Sequence, residues 1–144
     1  MSKVNTFENE IMKLIFHNVG IPNLGDTTGI LPSASNGRLY IALYSVSPTD
    51  STNGTEANYT NYARVIVARE VTKWTVSGTS PTRAENIDAI IFPTSSSAET
   101  IVGVGICFEP AGVPKYFNTF TSQLSIINGS IPTIQIGQLK INED

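Results

Sequence analysis

Side chains able to catalyse a reaction or bind a metal are scarce in this chain of 144 residues. His17 and Cys107 are its one histidine and its one cysteine. A zinc site needs about four ligands, mostly nitrogen and sulfur, so we predict no metal site within one chain. An arrangement in which three copies of His17 meet on a three-fold axis stays open. Cys107 lies in an apolar run, which predicts a buried thiol rather than a nucleophile.

Other catalytic patterns are also missing from the sequence. Gly103 and Gly105 lack the third glycine and the following helix of a dinucleotide-binding loop, so they predict a bulge or close packing under an aromatic ring. The chain has no Gly-x-Ser-x-Gly elbow. Its acidic residues predict solvated surface charge rather than a pair for glycoside hydrolysis. We therefore predict that the protein is not an enzyme and has no catalytic residue, metal or cofactor.

Aromatic residues indicate one alternative function of a different class. Aromatic rings stack on sugars, which predicts a carbohydrate-binding module for host surface glycans as that alternative. For Trp74, a position in the core of a β-sandwich is the commoner explanation. The aromatic residues considered are Tyr40, Tyr44, Tyr59, Tyr62, Trp74 and Tyr116.

Charge and hydropathy argue against two kinds of partner. Charged residues make up 15% of the chain and the net charge is −3, so no basic field neutralises nucleic acid or an anionic membrane. The longest apolar run, residues 101–108, is far shorter than the roughly 20 residues of a spanning helix. The N-terminal residues lack the uninterrupted apolar region of an export signal. We expect a soluble protein that binds neither nucleic acid nor membrane.

One amphipathic helix is predicted near the N-terminus. Its apolar residues recur at helical spacing, with Asn5 and Glu8 as a capping pair and Gly20 beyond its end. Residues 1–20 are predicted to form a helical arm and residues 21–37 an irregular tether, so the helix could pack on a neighbouring subunit. The apolar face, a candidate protein-interaction surface, consists of Phe7, Ile11, Leu14 and Ile15.

From residue 38 onward, short runs of period two alternate with turn residues, a pattern typical of strands. Eight or nine strands are indicated, which predicts an all-β fold: a β-sandwich or jelly-roll-like domain over residues 38–144, with a closed barrel as the second architecture. Asn128 and Gly129 predict a type I′ hairpin turn. The predicted strands lie at residues 39–43, 65–67, 72–76, 87–91, 101–108, 116–120, 124–126, 134–136 and 139–141.

The polar segment at residues 47–61 is too long for a tight turn and too polar for a core. Loops of this length usually contact another molecule or stay mobile. Tyr59 in this segment and Tyr62 just beyond it are therefore further candidates for protein interaction.

Five short motifs follow one another along the chain in an order that is more specific than any one of them. They are Leu-Tyr-x-Ala-Leu at 39–43, Pro-Thr-Asp at 48–50, Tyr-Ala-Arg at 62–64, Trp-x-Val-Ser-Gly at 74–78 and Ile-Phe-Pro at 91–93. This order resembles a family of small tailed-bacteriophage virion proteins commonly labelled phage tail fibre protein. The resemblance spans nearly the whole chain and implies a place on the virion exterior after synthesis in the host bacterial cytoplasm.

The sequence also bears on the role within a virion. It has no heptad array and no Gly-X-Y repeat, so it predicts no autonomous fibre shaft. A compact capsid decoration, or cement, subunit that stabilises the lattice through protein contacts is the favoured hypothesis. Other virion proteins are then the partners, with the major capsid protein favoured, and a homo-oligomer is expected. A tail-associated or tail-fibre component is the alternative.

Overall fold

A computed structural model describes residues 2–143 of the protein. This part of the chain has one α-helix followed by antiparallel strands, which confirms the predicted all-β fold class with a helix at the N-terminus. The elements are α1 Asn5–His17, β1 Arg38–Val46, β2 Thr55–Glu56, β3 Val65–Ala68, β4 Trp74–Ser77, β5 Thr82–Asn86, β6 Ile90–Ile91, β7 Glu99–Cys107, β8 Pro114–Ile126, β9 Thr133–Ile134 and β10 Lys140–Glu143.

The described chain divides into two compact units, each assembled from separate stretches of sequence. The first unit comprises residues 2–37, 68–89 and 135–143, and the second comprises residues 38–67 and 90–134. The division into an arm at 1–20, a tether at 21–37 and a domain at 38–144 stays a prediction.

In the first unit, α1 packs on a three-stranded antiparallel sheet of order β10-β5-β4. Met12, Phe16 and Trp74 are each 0% exposed. The ring centroids of Phe16 and Trp74 are 4.8 Å apart, a distance typical of favourable aromatic pairs. Trp74 Nε1 donates a hydrogen bond to Ala68 O at 3.0 Å, so its one polar atom is satisfied. The helix therefore has an apolar partner within its own chain.

The helix forms where it is expected, but its buried stripe is rotated. Glu8, Met12 and Phe16, spaced four residues apart, are buried. Because Glu8 is polar, the apolar residues of the sequence indicate a face that is displaced by one residue from the face that is buried. No described residue gives Glu8 Oε2 a hydrogen-bond partner. The four residues of the predicted face, Phe7, Ile11, Leu14 and Ile15, are all partly exposed.

The predicted cap at Asn5 is wrong by one residue. Val4 occupies the N-cap position without a side-chain cap bond, and Asn5 is already helical. At the other end, Asn18 adopts a left-handed conformation with φ 57°. Its amide oxygen accepts the N–H of Ser33 at 2.8 Å, which ties the irregular segment to the helix end.

Arg69 donates hydrogen bonds to carbonyl groups at the C-terminus of the helix. Its Nε donates to Ile15 O at 2.7 Å, and its Nη2 donates to Leu14 O. The last carbonyl groups of a helix lack partners within the helix, and a cation there also interacts favourably with the helix dipole. Because the side chain comes from residue 69, this bond joins two separate stretches of the first unit.

The second unit is built around β7, which pairs antiparallel with β1 on one side and β8 on the other. The sheet has the order β2-β1-β7-β8, and β3 also pairs with β1. The register of β1 and β7 runs from Tyr40 opposite Cys107 to Tyr44 opposite Gly103. Ile41 and Ile101 are 0% exposed, so the apolar alternation read from the sequence lies in the core.

The two glycines of β7 have the role expected of them. A Cβ on Gly105 would lie 2.8 Å from Cε2 of Tyr44, so only glycine lets the ring pack this closely. A register shift lies between Ile101 and Gly103 on the same strand. Close packing under an aromatic ring and a bulge are both confirmed.

Strand β5 was not predicted, and the strand predicted at 87–91 exists only at its last two residues. The inward residues of β5 are Thr82, Ala84 and Asn86, which are buried but small or polar. The Asn86 side chain donates to Asp88 O and Gln135 O, and accepts the N–H of Leu139. The sequence lacks an apolar signal here because hydrogen bonds, rather than apolar contacts, define the strand.

The expected type I′ hairpin at Asn128 and Gly129 is wrong, although a turn is present. Ser130 N donates to Ile127 O at 3.0 Å, which closes the turn. Gly129 has φ 86°, but Asn128 is not among the residues with positive φ, and a type I′ turn needs positive φ at both. The flanking strands do not pair with each other, because β8 pairs with β7 and β9 pairs with β6.

Candidate functional site

An open groove of about 540 Å³ lies on the second unit. Its walls combine aromatic and apolar side chains with one acidic and one basic residue. Sites of this composition, with a few oriented polar groups on apolar walls, are typical of ligand recognition. The groove is lined by Tyr40, Glu56, Tyr62, Ala63, Arg64, Ile66, Pro110 and Ala111.

Strand β1 positions the floor of the groove. Tyr40, Ala42 and Tyr44 share one face of the strand because side chains alternate along it. Ala42, Tyr44 and Cys107 form a buried cluster against which Tyr40 packs. Glu56 on β2 is the register partner of Tyr44, so the short strand β2 places a carboxylate beside these rings.

The polar part of the groove is an ion pair with fixed geometry. Arg64 Nε donates to Glu56 Oε1 at 2.8 Å, and Arg64 Nη2 donates to Glu56 Oε2 at 2.7 Å. A third donor, Arg64 Nη1, reaches Glu109 O at 3.1 Å. Bidentate pairs of this kind are stronger and more directional than single contacts. The Arg64 side chain is only 14% exposed, so the pair is held rigidly.

Tyr62 connects the ion pair to the sheet. Its hydroxyl donates to Glu56 Oε1 at 2.8 Å and accepts the backbone N–H of Leu43 at 3.0 Å. Its ring lies parallel to that of Phe92, at an interplanar angle of 11°. The hydroxyl therefore satisfies a backbone donor of β1 and orients the carboxylate at the same time.

These contacts shift the pKa values of all three groups. Burial alone would raise the pKa of Glu56, but hydrogen bonds from Arg64 and Tyr62 outweigh it and lower the pKa. Burial, and then the hydrogen bond to Glu56, raises the pKa of Tyr62. The hydrogen bond to Glu56 is the main reason that the pKa of Arg64 is raised. At neutral pH the site thus holds a carboxylate, a guanidinium and a neutral phenol.

Cys107 is 0% exposed, which confirms the predicted buried position. Its Sγ lies 3.8 Å from the hydroxyl of Tyr44. Burial raises the pKa of the Cys107 thiol and also that of Tyr44. Since the thiolate is the nucleophilic form, these shifts favour a packing role for both side chains.

The aromatic residues singled out in the sequence have different surroundings. Trp74, Tyr44 and Tyr59 are at most 3% exposed, so their rings have almost no free face. Trp74 thus lies in a core, which agrees with the commoner explanation of a tryptophan at this position. The structure brings Tyr40 and Tyr62 together at the groove. Tyr116 is partly exposed, and its ring centroid lies 6.4 Å from that of Phe108.

Two of the predicted interaction residues lie in the second unit. Tyr59 is buried: its N–H donates to Glu99 Oε2 at 2.7 Å, and its hydroxyl donates to Pro93 O at 3.2 Å. These bonds fix the end of the long polar segment. Tyr62 is partly exposed at the groove. The other four, Phe7, Ile11, Leu14 and Ile15, lie on α1, and a protein contact by any of the six stays a prediction.

His17 at the end of α1 binds its own chain. Its Nε2 lies 2.8 Å from Trp74 O, and because a carbonyl oxygen only accepts, Nε2 carries the hydrogen. Among residues 2–143, no group of three or more His, Cys, Asp and Glu side chains is arranged to hold a metal ion. No helix in that same range combines the length and apolar character needed to cross a membrane.

Sequence reasoning missed Glu56 and gave Arg64 no role in binding. Glu56 belongs to a strand of two residues, which is too short to show a period. Arg64 falls in the Tyr-Ala-Arg motif, where it follows Tyr62 by two positions. That spacing puts both side chains on the same side of an extended chain, and this was the one available signal that they act together.

The family model described as Podophage GP4 fiber I protein gp80 matches residues 3–142, nearly the entire chain, and the chain belongs to this family of phage tail fibre proteins. The resemblance found in the sequence motifs is thereby confirmed, and the protein is a structural component of the virion that associates with other virion proteins. No curated protein matches the chain.

Proposed function

We propose that this protein is a non-enzymatic structural subunit of the podophage tail, part of its fibre apparatus, that works by binding other tail proteins. The observation that carries the proposal is the family match over residues 3–142, whose description names a fibre protein. For this reason we favour the tail over the capsid decoration role that the sequence alone suggested. Capsid decoration becomes the competing placement, with the major capsid protein as its partner.

The surface of the second unit supports a function in protein contact. Nine large apolar side chains of this unit are at least 40% exposed, while charged residues are sparse. Exposed apolar groups with few charges are typical of surfaces that bury themselves against another protein. The exposed residues are Val46, Ile66, Ile91, Phe108, Val113, Phe117, Leu124, Ile127 and Ile131.

The copy number per virion tests this placement. Quantitative mass spectrometry of purified particles would compare peptides of this chain with peptides of the major capsid and portal proteins in the same digest. A tail component is expected at a small multiple of the portal copy number. A copy number comparable with that of the major capsid protein would overturn the tail placement in favour of capsid decoration. As the control, capsids that lack tails should contain no peptides of this chain.

Saccharide binding at the groove is a second candidate function, and one observation favours it. Tyr40 and Tyr62 border the same opening as the Glu56 carboxylate, whose side chain is 29% exposed. A ring face beside oriented carboxylate oxygens is suited to a sugar, since the ring packs on C–H groups and the oxygens accept hydroxyl donors. The ligand class is a neutral saccharide, because the ion pair leaves no unpaired charge in the groove.

Ligand-observed NMR with host-surface oligosaccharides tests this candidate. Tyr40→Leu keeps an apolar group against the buried cluster but removes the stacking ring, so saturation transfer to the sugar is expected to disappear. Tyr116→Leu, an equivalent change at a partly exposed tyrosine that does not line the groove, should leave transfer unchanged. Equal signals from both variants, or no signal from the unmodified chain, would exclude the groove as a saccharide site.

A further inference from the structure

Two buried polar atoms of the first unit have no hydrogen-bond partner among the described residues. They are Oε2 of Glu8 on α1 and Oγ1 of Thr82 on β5. Glu8 is 2% exposed and Thr82 is 0% exposed. Buried polar atoms in native proteins are nearly always paired, because an unpaired one is costly. Two such atoms on elements that pack on each other indicate a common partner.

Contacts at the two ends of α1 fix its direction relative to β5. At the C-terminal end, the ring centroid of Phe16 lies 4.8 Å from that of Trp74, and Trp74 pairs with the last residue of β5. Just before the N-terminal end, Lys3 Nζ lies 3.0 Å from Glu143 Oε1, and Glu143 pairs with the first residue of β5. The first turns of the helix therefore lie at the start of β5.

The spacing along the two elements brings Glu8 and Thr82 to the same level. Glu8 precedes Phe16 by eight residues, which is about 12 Å of helix. Thr82 precedes Asn86 by four residues, which is about 13 Å of strand. Glu8 belongs to the buried stripe of α1, and Thr82 to the inward side of β5. The two side chains therefore face each other across the interface between helix and sheet.

The chemistry of the two atoms limits what can join them. A carboxyl oxygen accepts hydrogen bonds and a hydroxyl both donates and accepts, but no hydrogen bond joins Glu8 directly to Thr82. The next buried positions on the two elements, Met12 and Ala84, are apolar and 0% exposed. A water molecule can donate to the first atom and accept from the second, which is the usual role of water in a protein interior.

We propose that one buried water molecule binds between α1 and β5, where it donates a hydrogen to Glu8 Oε2 and accepts the hydrogen of the Thr82 hydroxyl. This bridge attaches the first turns of α1 to the sheet at a position where the apolar stripe of the helix is interrupted. The attachment matters because Val4, at the N-cap, makes no side-chain cap bond. The proposal concerns the first unit alone and does not depend on placement in the tail.

A double-mutant cycle on the full chain tests this bridge through urea denaturation midpoints. Thr82→Val removes the hydroxyl at nearly constant shape, and Glu8→Met replaces the carboxyl group with an unbranched apolar one. If water joins the two residues, each single variant breaks the bridge and should lower the midpoint. The double variant should lose less than the sum of the two losses. If no water joins them, each single variant removes an unpaired polar atom and should raise the midpoint.

Matched substitutions outside the buried interface set the baseline for the cycle. Thr75→Val and Glu10→Met make the same two chemical changes at an exposed position of β4 and at a partly exposed position of α1. Their effects on the midpoint should simply add. Raised midpoints in the single variants at Glu8 and Thr82, or losses there that also add, would overturn the proposal.

NMR of the unmodified chain gives a second test that does not depend on how the variants fold. A bound water should show a nuclear Overhauser effect to the methyl group of Thr82 and none to that of Ala42, which is buried in the second unit. No effect at Thr82 would overturn the proposal. A midpoint that rises with sodium chloride more in the unmodified chain than in Glu8→Met would also overturn it, by indicating a cation at Glu8 instead.

Discussion

Two sets of polar side chains, one in each unit, have different kinds of partner. In the first unit, Arg69 and Asn86 each bond to backbone groups from another stretch of sequence. In the second unit, Glu56 and Arg64 bond to each other at a groove that is open to solvent. The first arrangement joins separate stretches of the first unit, and the second leaves a carboxylate partly exposed in an open groove. The comparison distinguishes side chains that connect distant parts of a fold from a polar pair that stays accessible to solvent.

Truncation of the buried tryptophan should have the largest effect on this comparison. Trp74→Ala removes a fully buried ring that packs on Phe16. Removal of a large core aromatic costs about 3–5 kcal/mol of the free energy of unfolding, close to half the stability of a typical small domain. Urea denaturation followed by circular dichroism measures the loss. Trp74→Phe, which keeps most of the volume, should lose much less.

Loss of the Asn86 side chain should come next. Asn86→Ala deletes three hydrogen bonds and leaves the N–H of the buried residue Leu139 without its partner, while the carbonyl of Gln135 still accepts from Gln138 N. A buried group left unpaired costs about 1–3 kcal/mol, so we expect a loss of about 2 kcal/mol. Urea denaturation checks it, with exposed Asn142→Ala on the neighbouring β10 as the control. Equal stability of the two variants would show that Asn86 is not the organising residue of its sheet.

A smaller effect is expected in the second unit. Tyr62→Phe removes the hydroxyl that bridges Glu56 and the N–H of Leu43 while the ring stays in place. The loss should be about 1 kcal/mol, because only one hydroxyl is deleted and the groove is open to water. Comparison of denaturation midpoints measures it. A loss as large as that of Asn86→Ala would contradict the distinction between the two units.

The smallest effect is a pH dependence carried by Glu56. Its pKa is lower in the folded chain than its ordinary value of 4.5. The stabilisation is therefore fully present above pH 4.5 and is lost as pH falls through the lower, folded pKa. Denaturation midpoints between pH 6 and pH 3 should fall less steeply in Glu56→Gln than in the unmodified chain. Identical slopes would show that the ion pair contributes nothing to stability.

Whether an element could be predicted from the sequence depends on the interactions that hold it in place. Buried apolar residues leave a local pattern in the sequence, and long-range hydrogen bonds do not. Strands β1 and β7 were found because apolar residues such as Ile41, Leu43 and Ile101 recur along them and are buried. Strand β5 was not, because its inward residues are small or polar and Asn86 is held by hydrogen bonds to residues far along the chain. The buried face of the helix was displaced because the polar residue Glu8 belongs to the buried stripe.

Only part of the groove could be predicted from the sequence, for a related reason. Tyr62 was singled out as a candidate from its position after the polar segment, but its partner Glu56 gives no local signal. The ion pair with Arg64 arises from the sheet, which places two short strands beside β1. A pattern along one segment of sequence does not contain that information.

The discontinuous composition of the first unit affects the order in which the chain folds during translation. Strand β5 needs β10, and Lys140–Glu143 are synthesised after every residue of the second unit. All residues of the second unit have been synthesised once residue 134 has left the ribosome. Helix α1 is synthesised first, but the sheet on which it packs is still incomplete at that point. The earliest residues to be synthesised thus belong to the unit that is completed last.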